Sequence, residues 1–213
     1  MKKEIALLCI LFFSKMLFAQ NQQYFLEMGK AQNKFKSAKT VNDYQNIEKE
    51  FIQISNYEQN EWLPLYFIAQ AIIFKTFAEP DKSKIDPYLD SAQIFIDRAF
   101  LITPGEPEIY VLQGLLYQSR ISVNPMKRGR QFTQKASESF EKAKAINPEN
   151  PRIYYLEGQS IYNTPKMFGG GKKNALPLFK QAKEKFDKFE PATPISPNWG
   201  KEQNEQLVET CQN

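Results

Sequence analysis

The chain of 213 residues contains no histidine. That absence removes the commonest general base and metal ligand near neutral pH. Cysteine is almost as scarce: Cys9 and Cys211 are the two in the sequence, which excludes thiolate metal clusters and leaves Cys211 without an internal disulfide partner if Cys9 is cleaved away. Charge of one sign is not in excess. The formal net charge is +4, and it falls to about +2 without the first twenty residues, too mild a balance to argue for nucleic acid. A run of the roughly 20 apolar residues that a spanning helix needs is also missing. The most apolar internal stretch, from Trp62 to Ala78, is interrupted by Pro64, Gln70 and Lys75.

What is present at the N-terminus reads as a secretory signal over residues 1–20. Lys2 and Lys3 make a short basic start, Ile5 to Phe13 an apolar segment of signal length, and Leu17-Phe18-Ala19 before Gln20 supplies a small residue for cleavage. Ser14 and Lys15 break the apolar run, which argues against an anchor. Leu8 before Cys9 argues against a lipoprotein site. The expectation is an exported chain with no transmembrane segment after cleavage, periplasmic, outer-membrane associated or secreted.

The remainder, about 193 residues, is long enough for one sizeable core. It is organised around Ala136, Phe140, Ala143 and Pro148, whose spacing is also found upstream at Ala92, Ile96, Ala99 and Pro104 and downstream at Ala175, Phe179 and Ala182. A period of this order signals a helical solenoid. The preceding helices repeat as well, because Tyr110, Gly114 and Tyr117 are matched 44 residues later by Tyr154, Gly158 and Ile161. Glycine inside a helix costs about 1 kcal/mol relative to alanine. Two of them at equivalent places therefore predict a site where a neighbouring helix comes too close for a side chain, and Ala69 holds the matching place in the first copy.

In chain order, residues 21–60 read as a degenerate helical hairpin. Thr40 with Asp43 resembles an N-cap signature, and Tyr44, Ile47, Phe51 and Ile54 mark one face of its second helix. Three repeats follow, at 61–104, 107–148 and 151–189. The segments Ile121–Arg130 and Thr164–Gly171, with Pro125, Gly129, Pro165 and three glycines, are expected to be non-helical loops inside the second and third repeats. Residues 190–213 are expected to form an extended connector through Pro191, Pro194 and Pro197, then a capping helix carrying Leu207, Val208 and Cys211. On that helix Cys211 reads as a half-buried small hydrophobe, with an intermolecular thiol as the alternative.

At these residues the sequence resembles a tetratricopeptide repeat protein, with Ala-x-x-x-Phe-x-x-Ala in the second helix of each repeat and a closing proline. Its repeat departs from that family's 34 residues, and a period of 40–47 also fits HEAT-type solenoids. With Asn150-Pro151-Arg152, the run from Phe168 to Lys172 and Trp199-Gly200, the chain as a whole also resembles exported tetratricopeptide proteins of Bacteroidetes-type bacteria. The resemblance implies an all-α, right-handed solenoid of helical hairpins, with long loops inside the repeats and a C-terminal capping helix. It also implies a concave groove lined by first-helix side chains. On this sequence those places hold Tyr66 and Gln70, then Glu108, Val111, Leu115 and Gln118, then Arg152, Tyr155, Gln159 and Tyr162. Aromatics, amides and one arginine suit an extended peptide or a partner helix.

No catalytic constellation can be assembled. The carboxylates lie among lysines on helix faces, as in Glu138, Glu141 and Lys142, and read as solvated. Gly169-Gly170-Gly171-Lys172 lacks the earlier glycine and the following Ser or Thr of a phosphate loop. It keeps only the weaker possibility of an anion resting at a helix start, against a turn that needs positive φ or close packing. The expected function is thus a non-enzymatic interaction module of the cell envelope with a protein or peptide partner, without cofactor or metal. The alternative is a small anionic ligand or glycan near residues 169–172.

Overall fold

Helix starts in this chain are marked by residues that suit a first turn. Pro107, Pro125 and Pro151 each occupy the first helical position, where a missing N–H costs nothing. The Asn124 and Asn150 side chains cap the latter two helices by accepting from the backbone of Lys127 and Arg152. Thr40 and Asp43 form a reciprocal capping box. In the computed structural model, which describes residues 22–213, these signals delimit nine helices and no strand among the described residues. They are α1 (22–33), α2 (Val41–Tyr57), α3 (Trp62–Ala78), α4 (Ile85–Ile102), α5 (Pro107–Ile121), α6 (Pro125–Ile146), α7 (Pro151–Asn163), α8 (Lys172–Lys188) and α9 (Lys201–Gln212). The export signal expected at residues 1–20 lies outside the described residues. None of the described helices is long and apolar enough to cross a membrane.

The helices stack in two layers. Helices α3, α5 and α7 touch one another in sequence, and each also packs on its neighbours in the second layer, α2, α4, α6 and α8. This is the solenoid-like architecture expected from the repeats. Because α3 lies between α2, α4 and α5, it is buried nearly all round, from Leu63 through Ile73. Helix α9 closes the far end on α8: Val208 is buried, Leu207 and Cys211 are half-buried, and the buried Asn204 amide donates to the Phe179 carbonyl at 2.9 Å.

The glycines explain how the layers meet. A Cβ on Gly114 would stand 2.1 Å from Phe140 Cε1, and one on Gly158 would stand 2.6 Å from Phe179 Cε1. Each glycine of a first helix thus receives the phenylalanine of its own second helix, and the two residue types are one packing device read twice along the chain.

One expectation is corrected. The segment 121–130 is not a loop: α5 runs to Ile121, only residues 122–124 connect, and α6 begins at Pro125 and continues through Gly129 for 22 residues. The proline that looked like a breaker is a starter, because its position is the first of the helix. The length of this repeat therefore resides largely in α6. An ion-pair cluster secures its early turns. Asp86 of α4 accepts from Arg120 of α5 (3.2 Å) and, through both oxygens, from Arg128 of α6 (2.8 Å each). Those contacts hold the Asp86 carboxyl below its usual range, the Arg128 hydrogen bonds contributing most. The segment 164–171 does stay between helices, apart from a single 3-10 turn at Lys166–Phe168.

Two glycine replacements with opposite outcomes test this packing. Gly114→Ala should lower stability by about 1–3 kcal/mol in urea unfolding followed by circular dichroism, because the Phe140 ring must be displaced. Gly129→Ala meets open space on a helix and should raise stability by roughly 0.5–1 kcal/mol.

Candidate functional site

The site begins with the connector between α8 and α9. With prolines at 191, 194 and 197 it cannot continue a helix, and it crosses the stack instead. Ile195 is buried, and its carbonyl accepts from Gln32 of α1 at 2.6 Å. Trp199 donates its indole N–H to the Tyr66 hydroxyl of α3 at 2.8 Å and meets the rings of Phe74 (6.0 Å) and Tyr155 (6.3 Å) edge-on. Gly200 turns the chain into α9 at φ +100°, against Phe186 and Tyr155. Residues 189–200 therefore form a strap that ties the last repeat to α1 and α3.

Beneath the strap lies an ion pair. Arg152, at the start of α7, has no solvent exposure, and its Nε donates to both oxygens of Glu108 in α5 at 2.9 and 3.1 Å while Nη2 also donates to Glu108. The Asn150 amide completes the set at 2.7 Å. The guanidinium is covered by the rings of Phe189 (4.5 Å) and Trp199 (6.0 Å), one from each end of the strap.

Beside the strap opens a cleft of about 1740 Å³. It exceeds the roughly 300–1,000 Å³ of ordinary small-molecule sites. Phe74 and Phe77 at the end of α3, Trp199 of the strap and Tyr155 of α7 give it aromatic walls. Gln118 and Gln159 add amides, Met126 and Arg130 come from the early turns of α6, and Phe168 from the 164–171 segment. Phe77, Met126 and Phe168 are 62%, 92% and 68% exposed, an apolar cost that a monomer seldom carries at one mouth without a use. Burial raises the pKa of the Tyr155 hydroxyl, which accepts from Gln159 at 2.8 Å, so it is a neutral phenol at physiological pH.

The sequence-predicted groove residues divide. Gln118, Tyr155 and Gln159, with Leu115, line the cleft. Gln118 is already engaged, donating to the Leu156 carbonyl and the Ser160 hydroxyl at 2.7 and 2.6 Å. Tyr66, Gln70 and Val111 are buried, as are Glu108 and Arg152, so none of these five presents a side chain to a partner. Tyr162 packs on Phe179 and is not part of the lining. In the glycine segment, the N–H groups of Gly169, Gly170 and Gly171 donate to Lys166, Pro165 and Ile161 carbonyls, which takes all three from any anion. A Cβ on Gly170 would stand 1.9 Å from the Thr164 carbonyl oxygen, so close packing accounts for that glycine. Lys172 is the first residue of α8 and lies outside the cleft lining.

Sequence reasoning missed Tyr44, Phe74, Phe77, Met126, Arg130 and Trp199, all of which line the cleft. Met126 and Arg130 fall in a segment whose Pro125 and Gly129 point to a loop and not to a helix face. Phe74 and Phe77 were hidden in an all-apolar helix with no stripe to single them out. For Trp199, a lone tryptophan beside Gly200 after three prolines was a usable signal.

No protein-family model matches the sequence, and no curated protein matches it. Among solved structures, the chain is similar to the HusA haemophore from Porphyromonas gingivalis. The two share 28% identity with a TM-score of 0.77, over 87% of this chain and 90% of that one. That neighbour is a binding protein, and the likeness extends over nearly the whole of both chains.

The ion pair makes a definite prediction. Glu108→Gln leaves Arg152 buried without its counter-charge and should cost about 3–5 kcal/mol in urea unfolding. Pairing it with Arg152→Met should recover much of that loss, since no buried charge then remains.

Proposed function

We propose that this protein is an exported, non-enzymatic haem-binding protein of the cell envelope, a tetratricopeptide-like solenoid whose cargo lies in the cleft between the strap and α6. The observation that carries the reading is the aromatic cleft of about 1740 Å³, in a fold similar to a haemophore. A haem macrocycle has two broad apolar faces, and Phe74, Phe77, Trp199 and Tyr155 supply rings to pack against them. The absence of histidine excludes imidazole ligation of the iron. Affinity then rests on contacts with the macrocycle and its substituents, with the Met126 thioether at the mouth as a soft donor. The signal-like residues 1–20 support export to the periplasm or beyond.

A second reading, a peptide or partner protein at the same cleft, is favoured by the exposed Met126 and Phe168 of its lining, since a flexible methionine adapts to varied apolar partners.

Tryptophan fluorescence separates these readings. The chain has two tryptophans, and only Trp199 of the two lines the cleft. In a Trp62→Phe variant, haemin should quench Trp199 emission saturably, with a parallel shift of the porphyrin absorbance band. Haemin that produces neither change would overturn the haem reading and leave the partner-protein one.

A further inference from the structure

The arginines near the cleft are engaged, with one exception. Arg120 pairs with Asp86 and Asp90, Arg128 with Asp86, and Arg152 with Glu108. Arg130 is exposed, lines the cleft, and has no ion pair or hydrogen bond among the described residues. Nor do the cleft's own carboxylates reach it. Glu141 pairs with Lys144 at 3.2 Å, and Glu138 accepts from the Gln134 amide at 3.0 Å. The other cation of the lining, Lys142, stands 6.0 Å over the Tyr110 ring, which belongs to a separate small pocket.

Position along α6 supports a role for Arg130. Met126, Arg130, Thr133 and Ser137 all line the cleft and recur at i, i+4, i+7 and i+11, one stripe of the helix. That stripe is separate from Ala136, Phe140 and Ala143, which face the core. The cleft therefore combines aromatic walls with one unpaired guanidinium, a group whose planar fork of donors matches a carboxylate. An arginine without a counter-ion beside apolar surface is complementary to an amphipathic carboxylate and to neither a neutral apolar ligand nor a cation.

On the haem reading, we infer that Arg130 binds a propionate of the cargo, so that the carboxylate edge of the porphyrin lies against α6 and its apolar edge toward Phe74, Phe77 and Trp199. Arg130 is thereby the residue that selects a carboxylated porphyrin over its neutral analogue.

A ligand-by-mutant cycle tests this at fixed ionic strength, using haemin and haemin dimethyl ester against wild type, Arg130→Gln, Arg130→Lys and Lys127→Gln. Lys127 is an exposed residue of the same helix outside the cleft, so it controls for net charge. Arg130→Gln should weaken haemin binding about tenfold, the size of one lost charge-assisted contact, and should leave the dimethyl ester unaffected. Arg130→Lys should restore part of the loss, and Lys127→Gln should change neither ligand. Equal affinities of wild type and Arg130→Gln for haemin overturn the assignment, as does an equal loss for both ligands. Wild type that binds neither porphyrin overturns the haem reading itself, a result distinguishable from either of those. Because Arg130 makes no ion pair or hydrogen bond among the described residues, its variants should melt with the wild type, which thermal unfolding verifies.

Discussion

The buried pair of Glu108 and Arg152 is the interaction on which the arrangement of the site depends. It joins α5 to α7 at their starts, where Asn150 both caps α7 and donates to Glu108. Removing two charges from water is costly, and the attraction between them offsets that cost only with good geometry and further hydrogen bonds. Here the carboxylate receives donors from two side chains, and aromatic rings cover the guanidinium. Those rings are the ends of the strap. A charge that must be covered and a proline-rich segment that cannot become helix satisfy each other, and the strap's course past Tyr66 and Tyr155 sets one wall of the cleft.

Around this centre the repeats are simple. Glycine in one helix and phenylalanine in the next let paired helices approach closely at Gly114 and Gly158, and the helix-propensity cost is offset by the burial of a ring. The consequence for function is rigidity where the cleft needs support. Its aromatic walls rise from α3, α7 and the strap, while its exposed apolar groups lie at the mouth, at the end of α3, on the first turn of α6 and in the 164–171 segment. A group seated there covers Phe77, Met126 and Phe168 without rebuilding the core.

Much of the fold was legible in the sequence. The recurrence of Ala, Phe and Ala, the paired glycines and the capping residues identified the two-layer helical stack, because helix packing is written at fixed spacings in the residues that make it. The candidate site was legible only in part. Gln118, Tyr155 and Gln159 were found from their place in the repeat, whereas Tyr66 and Arg152 were expected on the same face and lie covered. Which first-helix positions remain open depends on what crosses them, and a connector of twelve residues leaves no periodic trace of its path.

Pro125 was ambiguous for a local reason. Its residue type permits either the end of one helix or the start of the next, and the Asn124 side chain, which caps α6 by accepting from the Lys127 N–H, is the signal that marks it as a start. The sequence by itself determined the class of fold, the stacking of its helices and the absence of imidazole chemistry, since these follow from local spacing and composition. Only the tertiary structure decided that the strap closes over Arg152 and that Arg130 stands unpaired in the cleft, because each results from contacts between segments whose separation in the chain carries no signal.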